Sequence, residues 1–359
     1  MSSAILPSLY ANWVEEWLDG SIPPETEATC QECALLAEPP SPSARDLTRR
    51  IHPRTKCCSY YPSLTNFQVG RILNETDPTA APAQNVIAAR VQARFMATPL
   101  ALDVPPAYHL LYAKSPYMGS ALKLQCPYYV EESLGGACGI WRHRNAICMT
   151  WFCKHNRGQV GYTFWKALEY LLQQMEDALS KWCLTRLEMT DDSLAQILPD
   201  RRRDDTKFTP QELDEVVDEQ AHRALWGNWA GREAEFYREC GRLVSALAAQ
   251  RALEIGGADA ALRLRVARQA YGALLSLDLP RAVRPGSFQI QPLGNEVQIV
   301  SYREYAPLLL PSVVLNLLPY FEGRTVDEAI KAIDEQKQIE MEPALVRKLL
   351  DFEILVAVE

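Results

Sequence analysis

Residues 137–155 read ACGIWRHRNAICMTWFCKH and carry three cysteines, Cys138, Cys148 and Cys153, at short spacing. Closely spaced thiols can converge on one point because the loops between them are short, which keeps the entropy cost of closure small. Thiolate sulfur is a soft ligand that selects zinc or iron–sulfur clusters over hard cations. This stretch therefore predicts that a metal organises the fold around it.

Five more cysteines precede this stretch: a C-x2-C pair, an adjacent pair and a single residue. We predict eight metal ligands in all: Cys30, Cys33, Cys57, Cys58, Cys126, Cys138, Cys148 and Cys153. Adjacent side chains diverge, so the two at 57 and 58 would serve two metals, or one of them is a small buried residue. Eight thiolates can supply two four-cysteine sites, or one cluster and a zinc. We favour an iron–sulfur cluster, with 4Fe–4S as the leading form, over zinc.

Polar residues inside the same stretch are candidates for binding a cofactor. His143 and His155 could replace a thiolate or donate a hydrogen bond to cluster sulfur. Arg142 and Arg144 would offset the thiolate charge, or bind an anionic substrate or a carboxylate-bearing cofactor. The alternative for all four is a surface or supporting role.

Bulk composition narrows the class of protein. The chain has 359 residues, a net charge of −8 and ten cysteines. The basic clusters are short and flanked by acids, which disfavours nucleic-acid binding. An N-terminus without a basic leader, and no long apolar run, predict a cytoplasmic protein that does not enter a membrane. In a reducing compartment ten cysteines indicate metal or redox chemistry rather than disulfides.

The chain divides by texture into three expected domains. Residues 1–157, rich in cysteine, proline and aromatics, are predicted to form a loop-rich metal–cysteine cluster domain. Residues 158–280 are predicted to be helical, with apolar residues at helical spacing from Phe164 to Trp182. Residues 285–359 are predicted to form a winged-helix-like domain. The expected fold class is mainly α with minor β.

The C-terminal prediction rests on local signals in order along the chain. SFQIQPL and EVQIVSY flank Gly294-Asn295 and predict a β-hairpin. PLLLPSVVLNLLPYF predicts an apolar helix. TVDEAIKAIDEQ predicts a second helix, with Thr325 as N-cap and Glu328 completing a capping box. PALVRKLLDF predicts a third helix, and EILVAV a final strand. A hairpin, three helices and a strand are the parts of a small winged-helix domain.

The cysteine order resembles the YkgJ-type cysteine-cluster family, described as zinc- or iron-chelating. That family shows paired cysteines and then C-x-I-Y-x-x-R-P-x-x-C-R-x-F-x-C. Here Trp141 stands for the Tyr, Arg144 for the Arg and Asn145 for the Pro, and Cys153 closes the motif one residue late. The gap before Cys126 is long. The resemblance covers about residues 30–155 and implies a metal centre; a group with related cysteine patterns modifies protein lysines.

The last 75 or so residues are similar, more loosely, to the PqqD-like winged-helix modules of peptide-modifying systems. This resemblance implies that a peptide or protein partner adds a strand to the hairpin sheet. The leading hypothesis is therefore a metal centre that serves a redox or protein-modification step, with the C-terminal module recruiting the substrate. The competing hypothesis is a non-catalytic interaction protein in which metal is a structural staple. Whether the chain is an enzyme stays open at this point.

Overall fold

The computed structural model describes residues 6–28, 51–52, 54–115, 118–131, 136–198, 208–304 and 306–358. Its backbone contacts divide the chain into two compact units, each assembled from separate stretches. The first unit takes 1–22, 50–151 and 168–265. The second takes 23–49, 152–167 and 266–359. More of the described residues lie in helices than in strands, so the predicted fold class, mainly α with minor β, is confirmed.

The helices appear in this order: α1 Ser8–Leu18, α2 Asn66–Leu73, α3 Ala81–Ala93, α4 Pro106–Lys114, α5 Ala146–Thr150, α6 Gly158–Arg186, α7 Asp191–Ile197, α8 Pro210–Leu213, α9 Glu219–Trp226, α10 Glu233–Ser245, α11 Ala249–Leu275, α12 Val326–Lys337 and α13 Pro343–Asp351. Within α11, Gly257 is non-helical (φ 68°, ψ −157°), so the helix is interrupted at the Gly256-Gly257 pair. No helix in the described ranges is both long and apolar enough to cross a membrane.

The strands are short: β1 Leu64–Thr65, β2 Ala101–Leu102, β3 Tyr129–Val130, β4 Ala137–Cys138, β5 Val283–Pro285, β6 Gln289–Leu293, β7 Glu296–Val300, β8 Leu308–Pro311 and β9 Leu355–Ala357. β1 pairs with β2, and β3 with β4, both antiparallel, in the first unit. In the second unit β5 pairs with β9, and β6, β7 and β8 form an antiparallel sheet in that order.

The core of the first unit is built from helix faces. α6 buries Leu168, Leu171, Leu172, Met175 and Leu179 completely, as its apolar spacing predicts. α2 and α10 cross closely where two glycines meet. A methyl group on Gly70 would overlap the backbone carbonyl of Tyr237, and one on Gly241 would approach the backbone of Gly70. The missing side chains at this crossing are what allow the two helices to touch.

The second unit has its own apolar core between the three-stranded sheet and the C-terminal helices. Val297 and Ile299 of β7, together with Leu308 and Leu310 of β8, pack on Phe321 and on α12 and α13. The Leu293–Glu296 hairpin forms with Gly294 at φ 68°, as predicted. The capping box of Thr325 and Glu328 and the terminal strand are also as predicted.

One element of this region differs from the prediction. The stretch 307–321, predicted as a helix, instead gives strand β8 and two short 3₁₀ helices, Ser312–Asn316 and Leu318–Phe321. Pro311 and Pro319 lack the N–H groups that a continuous α-helix would need, and the Leu308–Leu310 run pairs with β7. A continuous apolar run is compatible with a strand or with a helix, so its composition does not distinguish the two.

Candidate metal centre

Five of the predicted ligands lie in the first unit, on elements that bring them together. Cys57 and Cys58 occupy a turn before β1, and Cys126 precedes β3. Cys138 lies on β4 and Cys148 on α5. We refer to Cys57, Cys58, Cys126, Cys138 and Cys148 as the five-cysteine group. Cys30 and Cys33 lie outside the described residues, and Cys153 belongs to the second unit.

Backbone pairing holds three members of this group as neighbours. The N–H of Cys126 donates to the carbonyl of Cys58 at 2.8 Å. Cys138 lies opposite Tyr129 in the β3–β4 ladder, and the N–H of Gly139 donates to the carbonyl of Tyr128 at 2.7 Å. Cys58 and Cys126 are therefore joined directly by a main-chain hydrogen bond although the sequence separates them widely, and Cys138 lies on the strand that pairs with the residues just after Cys126.

Helix α5 presents Cys148, and its start is held from two sides. The side chain of Asn145 accepts from the N–H of Cys148 at 3.0 Å and donates to the carbonyl of Ser63 at 3.3 Å. The N–H of Ala146 donates to the carboxylate Oε1 of Glu176 at 2.7 Å. The hydroxyl of Tyr10 and the amide of Gln68, both buried, donate to the same oxygen at 2.9 and 2.7 Å.

The thiols influence one another electrostatically. Burial raises the pKa of Cys148 well above its usual value, and the neighbouring Cys126, Cys138 and Cys58 raise it further. Burial is also the main reason that the pKa of Cys126 is raised. The pKa of Cys58 is lowered, first because the thiol of Cys57 donates a hydrogen bond to it and then because Lys56 and Arg144 lie nearby. Cys58 is thus the member of these three that most readily becomes a thiolate.

The two arginines predicted to flank the thiols have different positions. Arg144 is buried, with its guanidinium 3.4 Å from the ring centroid of Trp141 and donating to the carbonyl of Cys148 at 3.4 Å. It supplies positive charge directly beside the five-cysteine group. Arg142 is largely exposed and pairs with Asp77 at 2.6 Å. Its guanidinium neutralises a carboxylate rather than a thiolate.

The two histidines predicted as cofactor-binding residues lie in different units. His143 Nε2 lies 3.2 Å from Glu75 Oε2, and burial lowers the pKa of His143. His155 lies in the second unit among Phe152, Tyr162 and Tyr302, and burial lowers its pKa to about 3. Buried Nδ1 atoms of both rings have no hydrogen-bond partner among the described residues.

Cys138 is the member of the five-cysteine group that faces a cavity. The cavity has a volume of about 210 Å³ and is walled by the start of α3, the β3–β4 hairpin and residues 141–143. Trp141, Arg142 and His143 line it together with Glu75 and Asp77. A small molecule or a side chain of a partner could therefore come close to Cys138 without unfolding the site.

The chemistry of this donor set fits a soft metal, because thiols and a neighbouring cation are what thiolate-bound zinc or iron requires. The described thiols, however, lie farther apart than the ligands of a bound metal ion would. Over the ranges that the structure describes, no three His, Cys, Asp or Glu side chains are close enough together to hold a metal ion. The five-cysteine group is thus a convergence of thiols, not a closed four-ligand site.

Sequence reasoning missed two supports of this region. Glu176 anchors α5 from within α6, and the signal for it was present: a glutamate beside Met175 and Leu179 on an otherwise apolar face. Tyr108 was the second. Its hydroxyl accepts from the N–H of Tyr61 at 3.1 Å and donates to the carbonyl of Ser59. Nothing in the largely exposed helix α4 would have indicated that contact.

Comparison with known proteins adds no relative: no family model, curated protein or solved structure matches this chain.

Proposed function

We propose that this protein binds a metal through the five-cysteine group, as an iron–sulfur cluster or as zinc, and that the metal serves a redox or protein-modification step in the cytoplasm. The observation that supports this most is the approach of Cys58, Cys126, Cys138 and Cys148, which come from separate parts of the first unit. Four thiols from separate stretches of sequence are more than the two-residue contact of Cys183 with Cys240 elsewhere in the same unit.

Each residue of the region has a part in this proposal. Cys58, Cys126, Cys138 and Cys148 would be ligands, with Cys57 supplying a hydrogen bond or a second site. Cys30, Cys33 and Cys153 remain predicted metal ligands. When bound, an iron–sulfur cluster would supply electron transfer, whereas zinc would cross-link the loops.

Two neighbours would tune and expose such a centre. Arg144 offsets the negative charge that several thiolates bring into a buried region. The cavity at Cys138 gives a reacting molecule access, and Arg142 and His143 line its wall. This access favours chemistry over a purely structural metal, in which every ligand would be enclosed. A cluster-dependent enzyme that modifies a protein or peptide is the form of activity that we propose.

The C-terminal region would recruit the peptide or protein. Among the described residues β6 and β8 each pair on one side only, and peptides bind such edges by adding a strand. The side chain of Ile290 on the outer strand β6 is half exposed and would contact the added chain. Nucleic acid fits this region poorly, because α12 carries Asp327, Glu328, Asp334 and Glu335.

The experiment is the visible spectrum and metal content of the full chain purified without oxygen. Brown protein with iron and sulfide would support the cluster, and stoichiometric zinc in colourless protein would support the competing structural role. Cys148→Ser is expected to reduce metal content, whereas Cys240→Ser is the matched control. Cys240 is buried in the same unit, where its thiol contacts Cys183 rather than the five-cysteine group. Metal-free protein, or equal loss in both variants, would contradict the proposal.

A further inference from the structure

A second cavity lies in the first unit and shares no lining residue with the cavity at Cys138. Its volume is about 370 Å³. One face of α1, the end of α10, the α10–α11 connection and one side chain of α2 form its walls. The lining residues are Ser8, Leu9, Asn12, Trp13, Glu16, Arg71, Ser245, Leu247, Ala248 and Ala249.

The glycine crossing explains why Arg71 reaches this cavity. Gly70 and Gly241 bring α2 and α10 into backbone contact, so the residue after Gly70 lies close to the last turn of α10. Ser245 is one helical turn beyond Gly241. The guanidinium Nη1 of Arg71 donates to the hydroxyl of Ser245 at 2.6 Å. This hydrogen bond holds the positively charged side chain of Arg71 at the wall of the cavity.

No carboxylate of the described residues lies within ion-pairing distance of this cation. Its side-chain hydrogen bond goes instead to the neutral hydroxyl of Ser245. The side chain is only partly exposed. Burial lowers the pKa of Arg71, while the more distant Tyr10 and Glu75 oppose that effect. A guanidinium has five N–H donors, and taking it out of water is unfavourable unless an anion or further acceptors compensate it.

The surrounding backbone adds donors rather than acceptors. α1 starts at Ser8 with no side-chain cap and no acid in its first turn. α11 starts at Ala249, also with no acid in its first turn. Helix starts carry partial positive charge. The carbonyls of Leu247 and Ala249 are already occupied, because the indoles of Trp13 and Trp17 donate to them at 3.2 and 3.1 Å.

Glu16 limits what can bind. It is the acid among the lining residues, and it lies two helical turns along α1 from Ser8, about 12 Å away by helical rise. A ligand with one anionic end near Arg71 and Ser8 avoids this carboxylate, whereas a polyanion filling the cavity would meet it. The apolar walls of Leu9, Trp13 and Ala249 suit a short carbon chain.

We propose that this cavity binds the oxyanion group, carboxylate or phosphate, of a small organic acid, with Arg71 as the residue that pairs with it. Ser8, Ser245 and the first N–H groups of α1 supply further hydrogen bonds. The site is independent of the metal centre and would exist whether or not the five-cysteine group binds metal.

Trp13 provides the readout, since it lines the cavity. Full-length protein is labelled with ¹⁵N-tryptophan, and the indole signal of Trp13 is assigned by its loss in Trp13→Phe. Inorganic phosphate and acetate are titrated in separate arms at constant ionic strength, with chloride as the balancing anion. We expect a saturable shift of the Trp13 signal in at least one arm, and binding weaker by about tenfold or more in Arg71→Gln. The matched control is Arg242→Gln, which removes an exposed arginine of α10 that pairs with Glu239.

The two arms separate the sources of the oxyanion. Saturation by phosphate alone would identify a phosphate ester as the ligand class, and saturation by acetate alone a carboxylic acid. Arg71→Lys keeps the charge and should bind more weakly than the wild type but better than Arg71→Gln. Ser245→Ala, a milder change, covers the case in which Arg71→Gln does not fold. No saturable shift in either arm, or equal binding by wild type and Arg71→Gln, would overturn the proposal.

Discussion

At the scale of single residues, Glu176 makes stability depend on pH. Burial raises its pKa to about 7, even though three donors stabilise the carboxylate. The folded state therefore holds a proton that the unfolded state releases near pH 4.5, so stability falls as pH rises from about 4.5 to about 7 and is then constant. At about 1.4 kcal/mol per pKa unit, the loss is at most about 3 kcal/mol.

Glu176→Gln should remove this dependence, because the amide keeps an acceptor for Ala146 but does not ionise. We expect the variant to exceed the wild type in free energy of unfolding at pH 8 and to match it near pH 4, as measured by urea denaturation. Asp177→Asn changes an exposed carboxylate of the same helix and serves as the control. Parallel pH profiles for Glu176→Gln and the wild type would rule this role out.

Asp351 is the corresponding charged residue of the second unit. Its carboxylate, almost fully buried, accepts from Arg157 Nη2 at 2.7 Å and from Arg347 Nη2 at 2.6 Å. Asp351→Asn would leave two partly buried cations without their anion, and we expect a loss of about 3–5 kcal/mol in guanidinium denaturation. Glu254→Gln, which breaks an exposed pair with Arg251, should cause no measurable change. A similar small effect for both would show that the pair at 351 is solvated.

At the scale of elements, the α2–α10 crossing tolerates no side chain. Gly70→Ala places a methyl group in the carbonyl of Tyr237, so the helices must separate. Overpacking of this kind costs about 1–3 kcal/mol. Gly272→Ala in α11 is the matched control: a methyl there meets no atom within 4 Å, and alanine favours the helix. Thermal unfolding should show a lower midpoint for the first variant and an equal or higher one for the second.

Each outer strand of the three-stranded sheet has one proline among the residues whose backbone points outward. Leu293 and Glu296 flank the hairpin turn as a hydrogen-bonded pair, so the backbone of Ile290 and Pro292 points outward from β6. On the other edge the same alternation points Leu309 and Pro311 outward. Proline offers no N–H, so an added strand could pair with Ile290 on β6 or Leu309 on β8 but finds no donor at the prolines, which limits how far each edge can be extended.

Pro292→Val should therefore add a second outward N–H to the β6 edge. We expect increased self-association in analytical ultracentrifugation, because the new N–H can pair with a second chain. Gln291→Val adds the same side chain where the N–H is already directed at β7, and it should leave the protein as it was. If both variants associate equally, hydrophobicity rather than edge pairing is the cause.

At the scale of the whole molecule, metal removal should affect one set of thiols and spare another. If the proposed centre exists, the five-cysteine group should be protected from iodoacetamide in the loaded protein and become reactive after chelation. Cys183 and Cys240 are fully buried between helices and should stay protected in both states. Peptide mass spectrometry distinguishes the two sets, and equal labelling before and after chelation would argue against a metal on these cysteines.

Features set by neighbouring residues could be predicted from the sequence, whereas features set by contacts between distant residues could not. Thr325 with Glu328, and Gly294-Asn295, act within a few residues, so their helix start and hairpin were predicted from sequence and are confirmed. The strand at 308–311 was missed because its partner β7, not its own composition, decides its conformation. In the candidate site, the cysteines were visible as a pattern, but Glu176 is tied to Ala146 by a contact across thirty positions. The local pattern does not specify such a contact.

The pairing of Arg157 with Asp351 also has a consequence for how the protein is made. The two residues are 194 positions apart. At about 5–20 residues per second, a ribosome needs roughly 10–40 s to deliver the second after the first. During this interval Arg157 in the segment 152–167 lacks the carboxylate of Asp351. A chaperone could bind the segment during that time. A message cut short before codon 351 would release a chain in which Arg157 lacks this carboxylate.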